Sequence, residues 1–166
     1  MVALANTLPE DTNPMDVVEA LASVRGWFFE RPGDDEVTMT VEGSWSDLHI
    51  CINWREDLES VHLAATFDMR VPQGRREEIC RLISMINEQL FLGHFDLWRQ
   101  DGALLFRTGL YLSGGAEITP EQCDAMLASA LDACERYYPA FQFVVWAGKT
   151  AEVAIQSSLL ETQGEA

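Results

Sequence analysis

Basic residues are scarce in this chain: 11 Lys and Arg stand against 27 Asp and Glu, a formal charge of −16 over 166 residues. Such a charge repels phosphate backbones and anionic headgroups instead of releasing counterions from them, so neither nucleic acid nor bare membrane is an expected partner. Long apolar runs are lacking as well. The longest nearly apolar stretch, Phe141 to Gly148, is far short of the ~20 residues that cross a bilayer. Cys51, Cys80, Cys123 and Cys134 lie far apart without a C-x-x-C pair, and no charged segment leads into an apolar stretch at the N-terminus. Free thiols and a cytoplasmic location are the expectation. G-x-S-x-G, G-x-G-x-x-G, Walker A and H-E-x-x-H motifs are absent too, so nucleophilic hydrolysis and nucleotide binding lose their usual signatures, and no cofactor is called for.

What is present is a periodic pattern. Residues 1–13 mix Pro, Asn and acids without period and read as a flexible arm, with Asn13 as N-cap and Pro14 in the first turn of a helix over 14–25 that Gly26 stops. Alternation follows at Val37/Met39/Val41, Leu48/Ile50/Ile52/Trp54 and Val61/Leu63/Ala65/Phe67, as half-buried strands require. Aligned apolar faces pair Val41 with Leu48 and Trp54 with Val61. "WFFE" extends the first strand without fixing its register. Ile79, Leu82, Ile83, Ile86 and Leu90 form the stripe of a second helix, with Gly93 as its stop. Asp101-Gly102 reads as a two-residue type I′ turn, which sets Asp96 opposite Arg107 and Trp98 opposite Leu105. Thr119, Pro120 and Gln122 open a third helix with a capping box.

Pro139 must break or kink that helix. The following "AFQFVVWAG" fits a buried strand or continuing helix; the spacing of Phe141, Val144, Val145 and Gly148 favours a kinked helix. Thr150 caps a last short helix carrying Ala151, Ile155 and Leu159 on one face. The order α-β-β-β-α-β-β-α predicts a single α+β domain, an antiparallel sheet packed with helices, with the long third helix covering much of it.

Chemistry-bearing residues are few. His94 and Asp96 share a strand face, where the carboxylate would orient the imidazole for proton transfer or metal ligation in a small hydrolase or metal-dependent enzyme. Against that, Asp96 is claimed by Arg107. His49 and His62 point to the polar faces of neighbouring strands, but the register sets them opposite Thr66 and Asn53, too far out of step to share one ion, so no metal is expected. Gly114 and Gly115 read as loop, and "GDDE" as a solvated turn. Nothing in this set amounts to a catalytic constellation. The aromatic surplus is the stronger signal: Tyr137, Tyr138, Phe141, Phe143 and Trp146 are the expected partner-binding residues, since a charged, soluble chain keeps such surface either for its core or for another protein.

At "NWREDLESVHLAATFDMRVP", "GHFDLW" and "CERYYPAFQFVVWAGKTAEVAI" the chain resembles the bacterial YbjN-domain family, described as sensory transduction regulators, over residues 14–162. That family is similar in fold to the chaperones of type III secretion. The resemblance implies a non-enzymatic protein that binds another, still unidentified protein as a regulator or chaperone, and that forms a homodimer; it brings no catalytic residues with it.

Overall fold

Asn13 opens the first helix as its polar side chain requires. In the computed structural model, which describes residues 12–163, its Oδ1 accepts the N–H of Met15 at 2.9 Å, and α1 (Pro14–Arg25) ends on Gly26 in the left-handed region at φ 69°. Residues 1–11 of the expected arm lie outside the described residues. Six strands follow: β1 (Phe28–Gly33), β2 (Glu36–Val41), β3 (Leu48–Arg55), β4 (Ser60–Arg70), β5 (His94–Trp98) and β6 (Ala103–Tyr111). They form one antiparallel sheet in the order β1-β2-β3-β4-β6-β5, with α2 (Arg76–Asn87) carrying the chain from β4 to the far edge. Val41 faces Leu48 and Trp54 faces Val61, the pairs that the alternation dictates.

One face of the sheet is dry. Val37, Ile52, Leu63, Phe67, Phe95 and Phe106 are buried there under α1, α2 and α3 (Pro120–Val145). The other face carries His49, Cys51, Asn53, His62 and Thr66, each exposed or half-buried, as one-sided antiparallel sheets allow. α4 (Ala151–Gln163) packs on α3 and α2 as an outer layer.

Four details differ from the sequence reading. "FFERPG" forms an edge strand of its own, β1. In the second hairpin His94 faces Arg107, Asp96 faces Leu105 and Trp98 faces Ala103, two residues off the expected register. A shift of two leaves every side chain on its own face, so alternation is blind to it. The connection is accordingly a four-residue loop, held by Gly102 N–H on the Trp98 carbonyl at 2.8 Å and by the Gly102 carbonyl on Val71 N–H at 2.9 Å, a tie to the end of β4 that a tight two-residue turn would not provide. α2 ends at Asn87, six residues before Gly93. The reason is visible in the Asn87 amide, whose Oδ1 accepts Phe95 N–H at 2.8 Å and whose Nδ2 donates to the Phe95 carbonyl at 3.2 Å. Finally, the buried face of α4 consists of Ala151, Ala154 and Ser158 with half-buried Ile155, while Leu159 is exposed.

α3 runs through Pro139 to Val145 without a break. An interior proline costs ~3 kcal/mol, and packing on both sides of it offsets that cost. Tyr137, Tyr138 and Phe141 meet Phe67 and Phe95 of the sheet, with ring centroids 5.1 to 5.9 Å apart and mostly edge-on or tilted, the geometry aromatic quadrupoles favour.

Candidate functional site

A groove of about 1690 Å³ opens between the β2–β3 loop, the outer side of α3 and α4. Its first wall depends on Gly43. A Cβ there would lie 2.5 Å from both Glu135 Oε1 and the Ser46 carbonyl, so only glycine lets the loop come this close to α3. Glu135 Oε1 then accepts the N–H of Ser44 at 2.8 Å and pins the loop, which sets Trp45 at the groove rim, 49% exposed. The floor is α3 itself, with Tyr137, Pro139 and Phe143. Trp146, the C-cap of α3, stands at the far side 63% exposed, its ring edge-on to Tyr138 at 6.4 Å. α4 supplies Ile155 and Leu159, and Gln89 enters from the end of α2.

α4 is fixed in place from α2 and the short turn before it. Arg75 donates to the carbonyls of Val144 and Lys149 at 2.9 and 2.7 Å, and Glu78 Oε1 accepts Ala151 N–H at 2.6 Å, a carboxylate at a helix N-terminus. The groove is charged as well as aromatic: Asp132 and Glu135 line it, with Arg136 3.9 Å from Asp132. Its described lining thus combines three charged groups with aromatic and apolar side chains, an arrangement that can meet apolar and charged surface together.

The five aromatic residues expected to bind a partner therefore separate. Tyr138 and Phe141 are core residues, 4% and 0% exposed; Tyr137 is buried but shows an edge in the groove; Phe143 is half-buried and Trp146 is open. Trp45 is the groove residue that sequence reasoning missed. Its only signal was a large aromatic in a polar hairpin loop, where no core demands one.

On the open face of the sheet His94 is exposed and faces Arg107. Asp96 is engaged, with Arg107 Nη1 3.4 Å from one oxygen and Leu97 N–H 2.9 Å from the other, so the expected ion pair exists although its register was wrong. Arg107 also donates from Nε to His62 Nε2 at 3.1 Å. That contact brings His62 into the same cluster, because β6 lies between β4 and β5. Burial above all, then the nearby Arg107 and His94, hold the His62 pKa below its ordinary value. Among the described residues no three His, Cys, Asp or Glu are grouped to hold a metal ion. Burial pushes the Cys123 thiol up to about 11 and Cys134 higher still; Cys51 reaches about 11 through burial and the charge of Glu36. None of these three is a poised thiolate.

A family model described as "Putative bacterial sensory transduction regulator", that of YbjN, matches residues 14–143. The chain belongs to the YbjN family. The YbjN match takes in the whole sheet and the Trp45 loop and ends within α3, so Trp146 and α4 lie past it. The crystal structure of YbjN from E. coli is similar at 12% identity and a TM-score of 0.54, covering 73% of this chain and 85% of that one. A chain in the crystal structure of the ExsC–ExsE complex is similar at 18% identity and a TM-score of 0.55, over 76% of this chain and 92% of that one. At such identities the likeness is one of fold, and it carries the chaperone-type α+β layout that the YbjN resemblance implied. No curated protein matches the chain. No helix among the described residues is long and apolar enough to cross a membrane.

Proposed function

We propose that the chain is a non-enzymatic cytoplasmic regulator or chaperone-like protein that binds another protein in the groove beside α3, through Trp45, Phe143, Trp146 and the edge of Tyr137. The observation that carries this reading is the pair of tryptophans held open across one groove, one by a glycine-dependent loop pinned to Glu135 and the other at the helix end. Tryptophan is the residue most often found at the energetic centre of protein interfaces, where truncation to Ala costs ~2 kcal/mol or more. Membership of a regulator family supports the same role, as does likeness to a chain crystallised in a two-protein complex. The interaction class is favoured over an enzyme because Asp96, the one candidate to orient a catalytic His94, is bonded to Arg107 and Leu97. A homodimer belongs to the same proposal. Phe91, 98% exposed, and Leu92 next to it offer apolar surface outside the groove for a second copy.

The test is site-specific photo-cross-linking in the native host. A photo-reactive residue at position 146 is expected to give a discrete adduct with another protein, and the same residue at Glu56, outside the groove lining, is expected to give none. Identical adducts from both positions, or none from 146, would overturn the groove as the binding site.

A further inference from the structure

We infer, on the basis of the groove reading above, that the groove's occupant is a cationic amphipathic segment of the partner: apolar side chains seated between Trp45 and Trp146, with Lys or Arg side chains reaching Glu135 and Asp132. The chemistry of the lining chooses this occupant. Of the charged groups in the groove two are carboxylates and one is a guanidinium. The guanidinium of Arg136 stands 3.9 Å from Asp132 with both side chains more than half exposed, a contact too weak to withhold that carboxylate from an incoming cation. Glu135 spends one acceptor position on Ser44 N–H. A carboxylate has about four such positions, so it can hold the loop and receive a cation together. The indole faces at the rim add to the preference, because Trp attracts Lys and Arg more strongly than any other ring does.

Long-range charge acts in the same sense. At −16 the chain speeds the encounter with cationic segments and slows it with anionic ones. It also argues against a second copy of this chain as the occupant of the groove, since that copy would bring the same charge. Burying apolar side chains supplies affinity, and the carboxylates supply selection among amphipathic segments.

The test uses the full chain and three fluorescein-labelled amphipathic peptides that share one leucine face and carry Lys, Gln or Glu at the polar positions. Anisotropy titration is expected to show the Lys peptide bound at least tenfold more tightly than the Gln peptide, and the Glu peptide not at all. Trp146→Ala, at an exposed position, should weaken the Lys peptide at least fivefold. The pair Asp132→Asn and Glu135→Gln, in which Gln keeps an acceptor for Ser44, should reduce the Lys-over-Gln preference to threefold or less. The control pair Glu56→Gln and Asp68→Asn, exposed carboxylates outside the groove lining, should leave it within twofold. If the control pair lowers the preference as much as the groove pair, overall charge is responsible and the inference fails. If the Gln peptide binds as tightly as the Lys peptide and Trp146→Ala weakens both, the charge selection is wrong while the groove remains a binding site. If no peptide binds, or Trp146→Ala changes nothing, the groove reading falls with it.

Discussion

Gly102 sits at φ 73° in the β5–β6 loop, and a Cβ added there would come within 2.6 Å of the Val71 carbonyl. Gly102→Val meets both the steric penalty of positive φ and that backbone, so it should lower stability by ~1 kcal/mol or more. An unchanged urea midpoint would disprove the loop geometry. The sequence signal for a glycine turn was sound, yet Asp-Gly serves equally as the end of a four-residue loop, and only the tie to Val71 distinguishes the two. His62 gives a second residue-scale expectation. It accepts a hydrogen bond from Arg107 and must be neutral at Nε2 to do so; burial, Arg107 and His94 hold its pKa below 6.5 in the folded protein. Below about pH 6.5 the unfolded chain therefore binds more protons than the folded one, so this contribution is present above that pH and is lost as pH falls through the window toward the folded pKa. His62→Gln keeps an acceptor but does not titrate. Its melting temperature should fall less between pH 7 and pH 5 than that of the wild type, and parallel profiles would refute the assignment.

α4 shows what an element needs besides its own pattern. At 13 residues it is marginal alone, since isolated helices shorter than ~12–15 residues are barely stable in water even when Ala-rich; it docks through Ala151, Ala154 and Ser158 and is tied down by Arg75 and Glu78. Truncation after Gly148 is expected to lower the melting temperature and raise the binding of a hydrophobic dye by uncovering α3 and α2. Tryptophan emission should move little, because Trp146 is exposed with α4 in place. An unchanged melting temperature and dye signal would show that α4 covers nothing. Its buried face was half legible in the sequence: Ala151 and Ile155 belong to the stripe that the spacing shows, but Ala154 and Ser158 are small and give no apolar signal. β1 was hidden for a different reason: Phe28 and Phe29 are adjacent and Pro32 interrupts the run, so the residue types show no apolar alternation, although burial alternates between exposed and half-buried positions. Elements with a strong cap or a wide stripe were legible, as Thr119 and Gln122 show for α3. The groove was only half legible. Its aromatic floor is one run of sequence, but its walls come from residues near 45, 89 and 155 that only the fold brings together.

The molecule as a whole combines a surface of one dominant charge with apolar residues left in the open. The proposed homodimer is the first consequence to check: light scattering at micromolar concentration should give twice the chain mass of 18.6 kDa, and a monomer mass across a hundredfold dilution from high concentration would reject it. A second consequence concerns the end of the sheet. An edge strand offers its outward N–H and C=O groups to any extended chain that arrives. At β5 the side-chain amide of Asn87 fills both backbone groups of Phe95, and the Asp96 carboxylate takes the N–H of Leu97. At β1, Pro32 has no N–H to give. In the language of polymer growth Asn87 is a chain terminator: a one-residue counterfeit of the next strand that stops the sheet from adding monomers. Asn87→Ala should reopen that end and shorten the lag before thioflavin T fluorescence appears on mild heating, whereas an unaltered lag would mean that fibre growth in this protein never starts from β5.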